Sequence, residues 1–206
     1  MSVHNPVVYV VDDDVSICRA LSLLLKAHGY KVETFTSAEA FLSFKHPKVQ
    51  SCLVLDIRLP NINGFALQHE MAQAGIITPI IFITGHGDIQ MTVKAMKAGA
   101  IDFLSKPFTD QELLNAITVA LSKSKVQNKE QAEIAKIKGR IKTLSPKELE
   151  VFHFVAQGLM NKNIASRRGT SLQTIKIHRS RVMQKMQAKT VTELIHFAQK
   201  AGILTS

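Results

Sequence analysis

"VVYVVDDDVS", residues 7–16, decides how the rest of the chain is read. Five apolar, mostly β-branched residues make a buried-strand pattern that runs straight into Asp12, Asp13 and Asp14. Three like charges at the mouth of a core cost electrostatic energy unless a cation or a shared proton relieves them. One Asp has a structural use there, as the cap of a helix expected over residues 15–28, and Asp14 is read as that cap or as a solvated residue. Capping leaves two carboxylates to explain.

Outward from this stretch the front half alternates. Strand-like runs cover residues 7–11, 31–35, 52–56, 80–84 and 101–104, and helical patterns cover 15–28, 38–44, 64–74, 89–98 and 110–121. Five β–α units of this length predict a doubly wound parallel sheet. The short continuous apolar runs fit strands covered on both faces.

From residue 122 the chain turns polar, "SKSKVQNKEQAEIAKIKG", with helix-forming residues and no proline. Val126, Ile134, Ile137 and Ile141 are too sparse to predict a core, so a helical linker is expected, with a dimer seam as one use for it. Beyond residue 143 only helical patterns follow. "SPKE" at 145–148 starts a helix with Ser as N-cap, Pro at the first position and Glu completing a capping box. Further helices are expected at 161–168, 172–186 and 191–201. The expected fold is therefore α/β plus all-α: a (βα)5 domain over 1–121, a helical linker over 122–141 and a four-helix domain over 142–206.

The charge divides along the same line. The whole chain is +10, but residues 1–121 hold 9 Lys/Arg against 11 Asp/Glu, and residues 122–206 hold 17 against 5. A front half of −2 and a back half of +12 imply two modules with different partners, the second a polyanion. The longest apolar runs are strand-sized, far short of a membrane span, and no signal peptide is expected from the N-terminal pattern. Cys18 and Cys52 sit in apolar contexts and are expected as buried thiols in a reducing compartment, a disulfide being the lesser alternative.

Ligands of a doubly wound sheet bind at the carboxyl ends of its strands. Strand one ends in Asp12 and Asp13, strand three in Asp56 and strand four in Thr84, and strand five is followed by Lys106. Clustered carboxylates suit a hard divalent cation such as Mg²⁺, which takes oxygen ligands and keeps waters. A hydroxyl and an ammonium beside them could hold the oxygens of a phosphoryl group. His4 and His86 lack partners at metal-ligand spacing and read as loop residues, and no P-loop pattern occurs.

"VVDDD", "LVLDIRLPNINGF", "IIFITGHGD" and "KAGAIDFLSKPF" resemble the receiver domain of two-component response regulators, over roughly residues 5–121. The resemblance implies that Asp56 accepts a phosphoryl group, that Asp12, Asp13, Asp56 and the backbone carbonyl of Arg58 bind Mg²⁺, and that Thr84 and Lys106 contact the phosphoryl oxygens. It also implies Phe103 as an aromatic switch and a cis bond between Lys106 and Pro107. Phosphatases of the haloacid dehalogenase type are the main rival, since they phosphorylate an Asp on a similar sheet. They carry "DxD", and here the second Asp is replaced by Arg58, so a persistent acyl phosphate, hence a switch and not an enzyme, is expected.

"TSLQTIKIHRSRVMQKM", residues 170–186, brings Lys176, Arg179 and Arg181 within two helical turns, with Ile175, Val182 and Met186 at helical spacing as an inward face. A short helix, a turn and a basic amphipathic helix form a helix-turn-helix pattern. With "LSPKELEVFHFVAQGLMNKNIA" before it, this region resembles the DNA-binding domain of LuxR/NarL-type regulators, and the whole chain is similar to FixJ-type response regulators, the styrene-regulator branch in particular. By that resemblance Lys176, Ile177 and Ser180 face bases, while Lys162, Ser171, Thr174, Arg179 and Lys185 contact phosphates. Family members usually carry aliphatic residues where Arg168 and Thr170 stand, so two core positions are expected to have become polar. The implied partners are a sensor histidine kinase, double-stranded promoter DNA, RNA polymerase and a second copy of the chain upon phosphorylation, in a cytoplasmic setting without membrane.

Overall fold

The alternating runs form one parallel sheet in the computed structural model, which describes residues 5–85 and 89–204. The strands are β1 (Val7–Val11), β2 (Lys31–Phe35), β3 (Ser51–Asp56), β4 (Ile80–Thr84) and β5 (Asp102–Ser105). Their order is β2-β1-β3-β4-β5, with every neighbouring pair parallel. Strand β5 sits one residue later than its apolar run suggested, because its register pairs Ile81 with Asp102 and Thr84 with Ser105. The helices α1 (Val15–Ala27), α2 (Ala38–Ser43), α3 (Gly64–Gln73) and α4 (Ile89–Lys97) alternate with the strands, and α5 (Asp110–Ile141) follows them.

Strands β1, β3 and β4 are buried along their whole length, which explains apolar runs without polar alternation. Successive side chains then supply two cores. Val8, Val10, Val54 and Ile83 pack with Cys18, Leu25, Leu113 and Ile117 on one face. Tyr9, Val11, Leu55 and Phe82 pack with Phe41, Leu67 and Met71 on the other. Both cysteines are free and buried, and burial pushes the Cys52 thiol far above its ordinary pKa.

Gly64 shows how closely the functional edge is packed. A Cβ there would stand 2.7 Å from the backbone oxygen of Asp56 and 3.1 Å from the Phe82 ring. Neither the backbone nor a buried ring can yield cheaply. Gly64→Ala is therefore expected to destabilise the first unit by about 1–3 kcal/mol, as overpacking usually does. A urea midpoint equal to wild type would show that the β3–α3 turn relaxes instead.

The chain divides into two compact units, Met1–Lys129 and Glu130–Ser206. Helix α5 is continuous for 32 residues, so the helix expected over 110–121 and the helical linker expected over 122–141 are one element. Its middle is fixed to the first unit: Ser124 Oγ accepts from Ser51 N at 3.0 Å, and Asn128 Nδ2 donates to Val49 O at 2.9 Å. The expectation that its isoleucines are too sparse for a core fails at the far end. Ile137 is fully buried in the second unit's core, and Ile141 packs against it. A few apolar residues suffice when a helix lies against a core built by others.

That core is made by α6 (Pro146–Ala156), α7 (Asn161–Arg168), α8 (Leu172–Met186) and α9 (Val191–Lys200). Phe152, Ile164, Ile175, Val182, Met186 and Leu194 fill it. Helix α6 has its capping box: Glu148 N donates to Ser145 Oγ, and Ser145 N donates to Glu148 Oε2. Helix α7 ends at Gly169, whose φ of 57° needs the left-handed freedom of glycine. Arg168 and Thr170 do not occupy core positions as expected. Arg168 is exposed and forms an ion pair with Glu150, and Thr170 is half-buried, so a charge there costs the fold little.

Candidate functional site

The strand ends β1 and β3 are adjacent in the sheet, so Asp12 and Asp56 emerge side by side. They are 1% and 5% exposed. Lys106 lies beyond β5 after a turn tied back by its own N–H, which donates to Thr84 O at 2.7 Å. Its Nζ donates to Asp12 Oδ2 at 2.6 Å and to Asp56 Oδ1 at 2.9 Å. The second oxygens are also held, Asp12 Oδ1 by Asp14 N at 3.0 Å and Asp56 Oδ2 by Arg58 N at 2.7 Å. The Lys106–Pro107 bond is cis.

Burial pushes the Asp12 carboxyl above its ordinary pKa, against the pull of its Lys106 and Asp14 hydrogen bonds. Burial also works against the Lys106 ammonium, but its bonds to Asp12 and Asp56 prevail and hold its pKa above the usual lysine value. Cys18 adds a contact the sequence did not suggest: its thiol donates to Asp12 O at 3.3 Å, and burial raises its pKa first of all. It supports the Asp12 backbone and is not itself a reactive thiolate.

Asp13 is exposed beside this pair, and Asp14 is the N-cap of α1, accepting from Ser16 N at 2.7 Å. Thr84 is fully buried at the end of β4. The register places it on the same sheet face as Phe82 and Phe103, and Phe103 is half-buried against the core of that face. His4 and His86 lie outside the described residues.

Among the described residues no three carboxylate, imidazole or thiol groups close on one point. A hard divalent cation takes oxygen ligands and keeps waters, so protein groups need supply only part of its shell. The donors within reach are oxygens only, and one ammonium offsets one of two buried carboxylates. The residues fit a hard divalent cation.

In the second unit, Ser171 caps α8 by accepting from Thr174 N at 3.1 Å, and the two hydroxyls lie 2.8 Å apart. Ile175, Val182 and Met186 point inward as expected, while Lys176, Ile177 and Ser180 are exposed. Lys162 on α7 is exposed. Two expected phosphate contacts have structural partners the sequence did not disclose. Arg179 Nη1 donates to Asn161 Oδ1 at 2.6 Å. Lys185 Nζ donates to Glu148 Oε2 at 2.6 Å and to Thr143 O at 3.1 Å. Asn161 and Glu148 read only as helix-start residues, because partners 18 and 37 positions away leave no local signal.

No described helix is long and apolar enough to cross a membrane. The response regulator receiver domain family matches residues 8–118, and the LuxR family of bacterial regulatory proteins matches residues 142–198. Nodulation protein W of Bradyrhizobium diazoefficiens is 48% identical over 197 residues, which span 96% of this chain and 87% of that protein. The transcriptional regulatory protein FixJ of Azorhizobium caulinodans is 39% identical over 196 residues, 95% of this chain and 93% of that one. Among solved structures, the response regulator StyR aligns with a TM-score of 0.77 at 41% identity, covering 96% of this chain and all of that one. With a receiver fold ahead of a LuxR-type helix-turn-helix, this chain belongs to the two-component response regulators that regulate transcription.

Proposed function

We propose that Asp56 accepts a phosphoryl group from a sensor histidine kinase and that this state promotes dimerisation and sequence-specific binding to promoter DNA. The observation that carries the reading is the pair of buried carboxylates sharing one ammonium, Lys106 Nζ, at 2.6 and 2.9 Å. In the transfer, a P–O bond forms on an Asp56 carboxylate oxygen as the P–N bond to the kinase imidazole breaks, the nitrogen keeping the electron pair. Asp12, Asp13, Asp56 and the Arg58 carbonyl would hold Mg²⁺, which supplies charge neutralisation at the phosphoryl oxygens. Lys106 can move from the carboxylates to one of those oxygens, and Thr84 can donate its hydroxyl to another. Arg58 stands where a hydrolase would need a proton carrier, so the acyl phosphate serves as a state and not as an intermediate of turnover.

Thr84 and Phe103 share a sheet face, which supports a switch in which the hydroxyl moves toward the phosphoryl group and frees space for the ring. Ile89, Val93 and Met96 leave apolar surface on α4, which supports a dimer contact over about residues 89–104. We read residues 1–121 as the receiver, 122–141 as connecting helix and 142–206 as the DNA-binding domain. Lys176, Ile177 and Ser180 are assigned to base edges, and Lys162, Ser171, Thr174, Arg179 and Lys185 to phosphates. The setting is cytoplasmic, with RNA polymerase as the downstream partner.

Sedimentation of the full chain with Mg²⁺, with and without a small acyl-phosphate donor, tests the reading. A monomer-to-dimer shift worth about 1–3 kcal/mol is expected, the usual range of allosteric coupling. Thr84→Ala should accept the phosphoryl group yet lose that shift, and Asp13→Ala should need more Mg²⁺ for the same labelling. A labelled wild type that stays monomeric and gains no DNA affinity would overturn the coupling.

A further inference from the structure

The charge on α8 is distributed unevenly, and the pattern bears on which bases the helix reads. Ile175, Val182 and Met186 are buried and define its inward direction. At 3.6 residues per turn, Gln173, Ile177, Ser180 and Gln184 then fall within about 40° of the opposite, most outward direction. All four are exposed, with Ile177 at 45%. None carries a charge, although the region from residue 122 holds 17 Lys/Arg against 5 Asp/Glu. Lys176 and Arg181 flank this stripe on its two sides. Neutral groups at the centre, with Lys176 at one margin within reach of a base edge and Arg181 at the other toward a phosphate strand, match a major groove, where base edges lie between two phosphate strands.

We infer that Gln173 is a specificity-determining residue that reads an adenine in the major groove, with Ile177 meeting a thymine methyl about two base pairs away. The inference rests on the reading of α8 as the DNA-reading helix and adds to it the base class and the residue. The amide of Gln173 presents one donor and one acceptor, and adenine offers N7 as acceptor and its N6 amino group as donor. No hydrogen bond within the chain occupies that amide among the described residues. Gln173 lies two residues after the Ser171 cap, in the N-terminal part of the helix that enters the groove. Ile177 follows one turn on, about 6 Å along the axis. That rise spans about two base-pair steps, so the adenine and the thymine belong to A·T pairs about two steps apart in one half-site. An exposed isoleucine, costly in water, finds an apolar partner in the C5 methyl group.

The test uses the full chain, phosphorylated by a small acyl phosphate, and a pool of randomised duplexes. Wild type should select a motif with at least one strongly preferred A·T pair per half-site. Gln173→Ala should lose preference at that pair by about tenfold while the other positions keep theirs. Replacing its adenine by 7-deazaadenine should weaken wild type by a similar factor and leave Gln173→Ala unaffected. Replacing the thymine about two base pairs away by uracil should weaken wild type but not Ile177→Ala. Gln173→Arg should shift the same position toward guanine. If Gln173→Ala selects the wild-type motif, or weakens every duplex equally, the assignment is wrong while DNA reading by α8 stands. If wild type selects no motif at all, the DNA-binding reading itself fails, and this inference with it.

Discussion

Asp56→Asn should abolish acyl-phosphate formation altogether, measured as label retained from a small acyl-phosphate donor in Mg²⁺. The amide nitrogen and oxygen of Asn are poor nucleophiles toward phosphorus, whereas the carboxylate carries full negative charge on two oxygens. The fold should survive the change. Lys106 would keep its 2.6 Å bond to Asp12 and turn away from position 56, where the amide nitrogen replaces Asp56 Oδ1, while the Asn oxygen accepts from Arg58 N, now 2.7 Å from Asp56 Oδ2. Loss of one of two buried carboxylates also removes a repulsion at the sheet edge. An unlabelled variant with a wild-type urea midpoint is therefore the expected result. Labelling of the variant at the wild-type level would mean that another residue is the acceptor.

The sequence disclosed this site because its parts are tied to strand ends. A five-residue apolar run such as 7–11 fixes where a strand stops, and a parallel sheet brings all such stops to one edge. Asp12, Asp56, Thr84 and Lys106 could therefore be grouped without coordinates. Their division of labour could not. That Asp12 and Asp56 are nearly sealed from solvent while Asp13 is exposed depends on three-dimensional packing, and that Cys18 supports Asp12 depends on a thiol of α1 reaching back to a carbonyl. The linker was misread for a related reason. Ile137 looks isolated in sequence, but it joins a buried core whose other members come from α6, α7, α8 and α9, far along the chain. Capping residues lay between these extremes. Ser145 and Glu148 were legible as a box, whereas the Glu148–Lys185 pair spans 37 residues and has no sequence pattern.

That pair supports the second large effect, a loss of stability in the DNA-binding unit when Glu148 is changed. Glu148 is 3% exposed, yet its Oε2 accepts from Ser145 N at 2.8 Å and from Lys185 Nζ at 2.6 Å. Those partners, Lys185 first, hold its pKa down to about 2. Its contribution is therefore fully present above the ordinary carboxylate range and is lost as pH falls from about 4.5 toward 2. Glu148→Gln keeps the capping box, because an amide oxygen still accepts from Ser145 N, but exchanges the ion pair with Lys185 for a bond from its ammonium to a neutral oxygen. Glu148→Ala loses both and leaves Ser145 N without its acceptor. The alanine variant should lose about 3 kcal/mol, the sum of a cap and a charge-assisted hydrogen bond, and the glutamine variant about half of that. For a unit of this size, the alanine loss lowers the midpoint of unfolding by roughly 10–20 °C. Scanning calorimetry of the full chain over a pH series separates the two contributions. The wild-type advantage over Glu148→Gln should vanish near pH 2, while its advantage over Glu148→Ala should shrink without vanishing, since a protonated carboxyl still accepts from Ser145 N. A glutamine variant as stable as wild type at pH 7 would show that the ion pair contributes nothing and that Glu148 serves only as a cap.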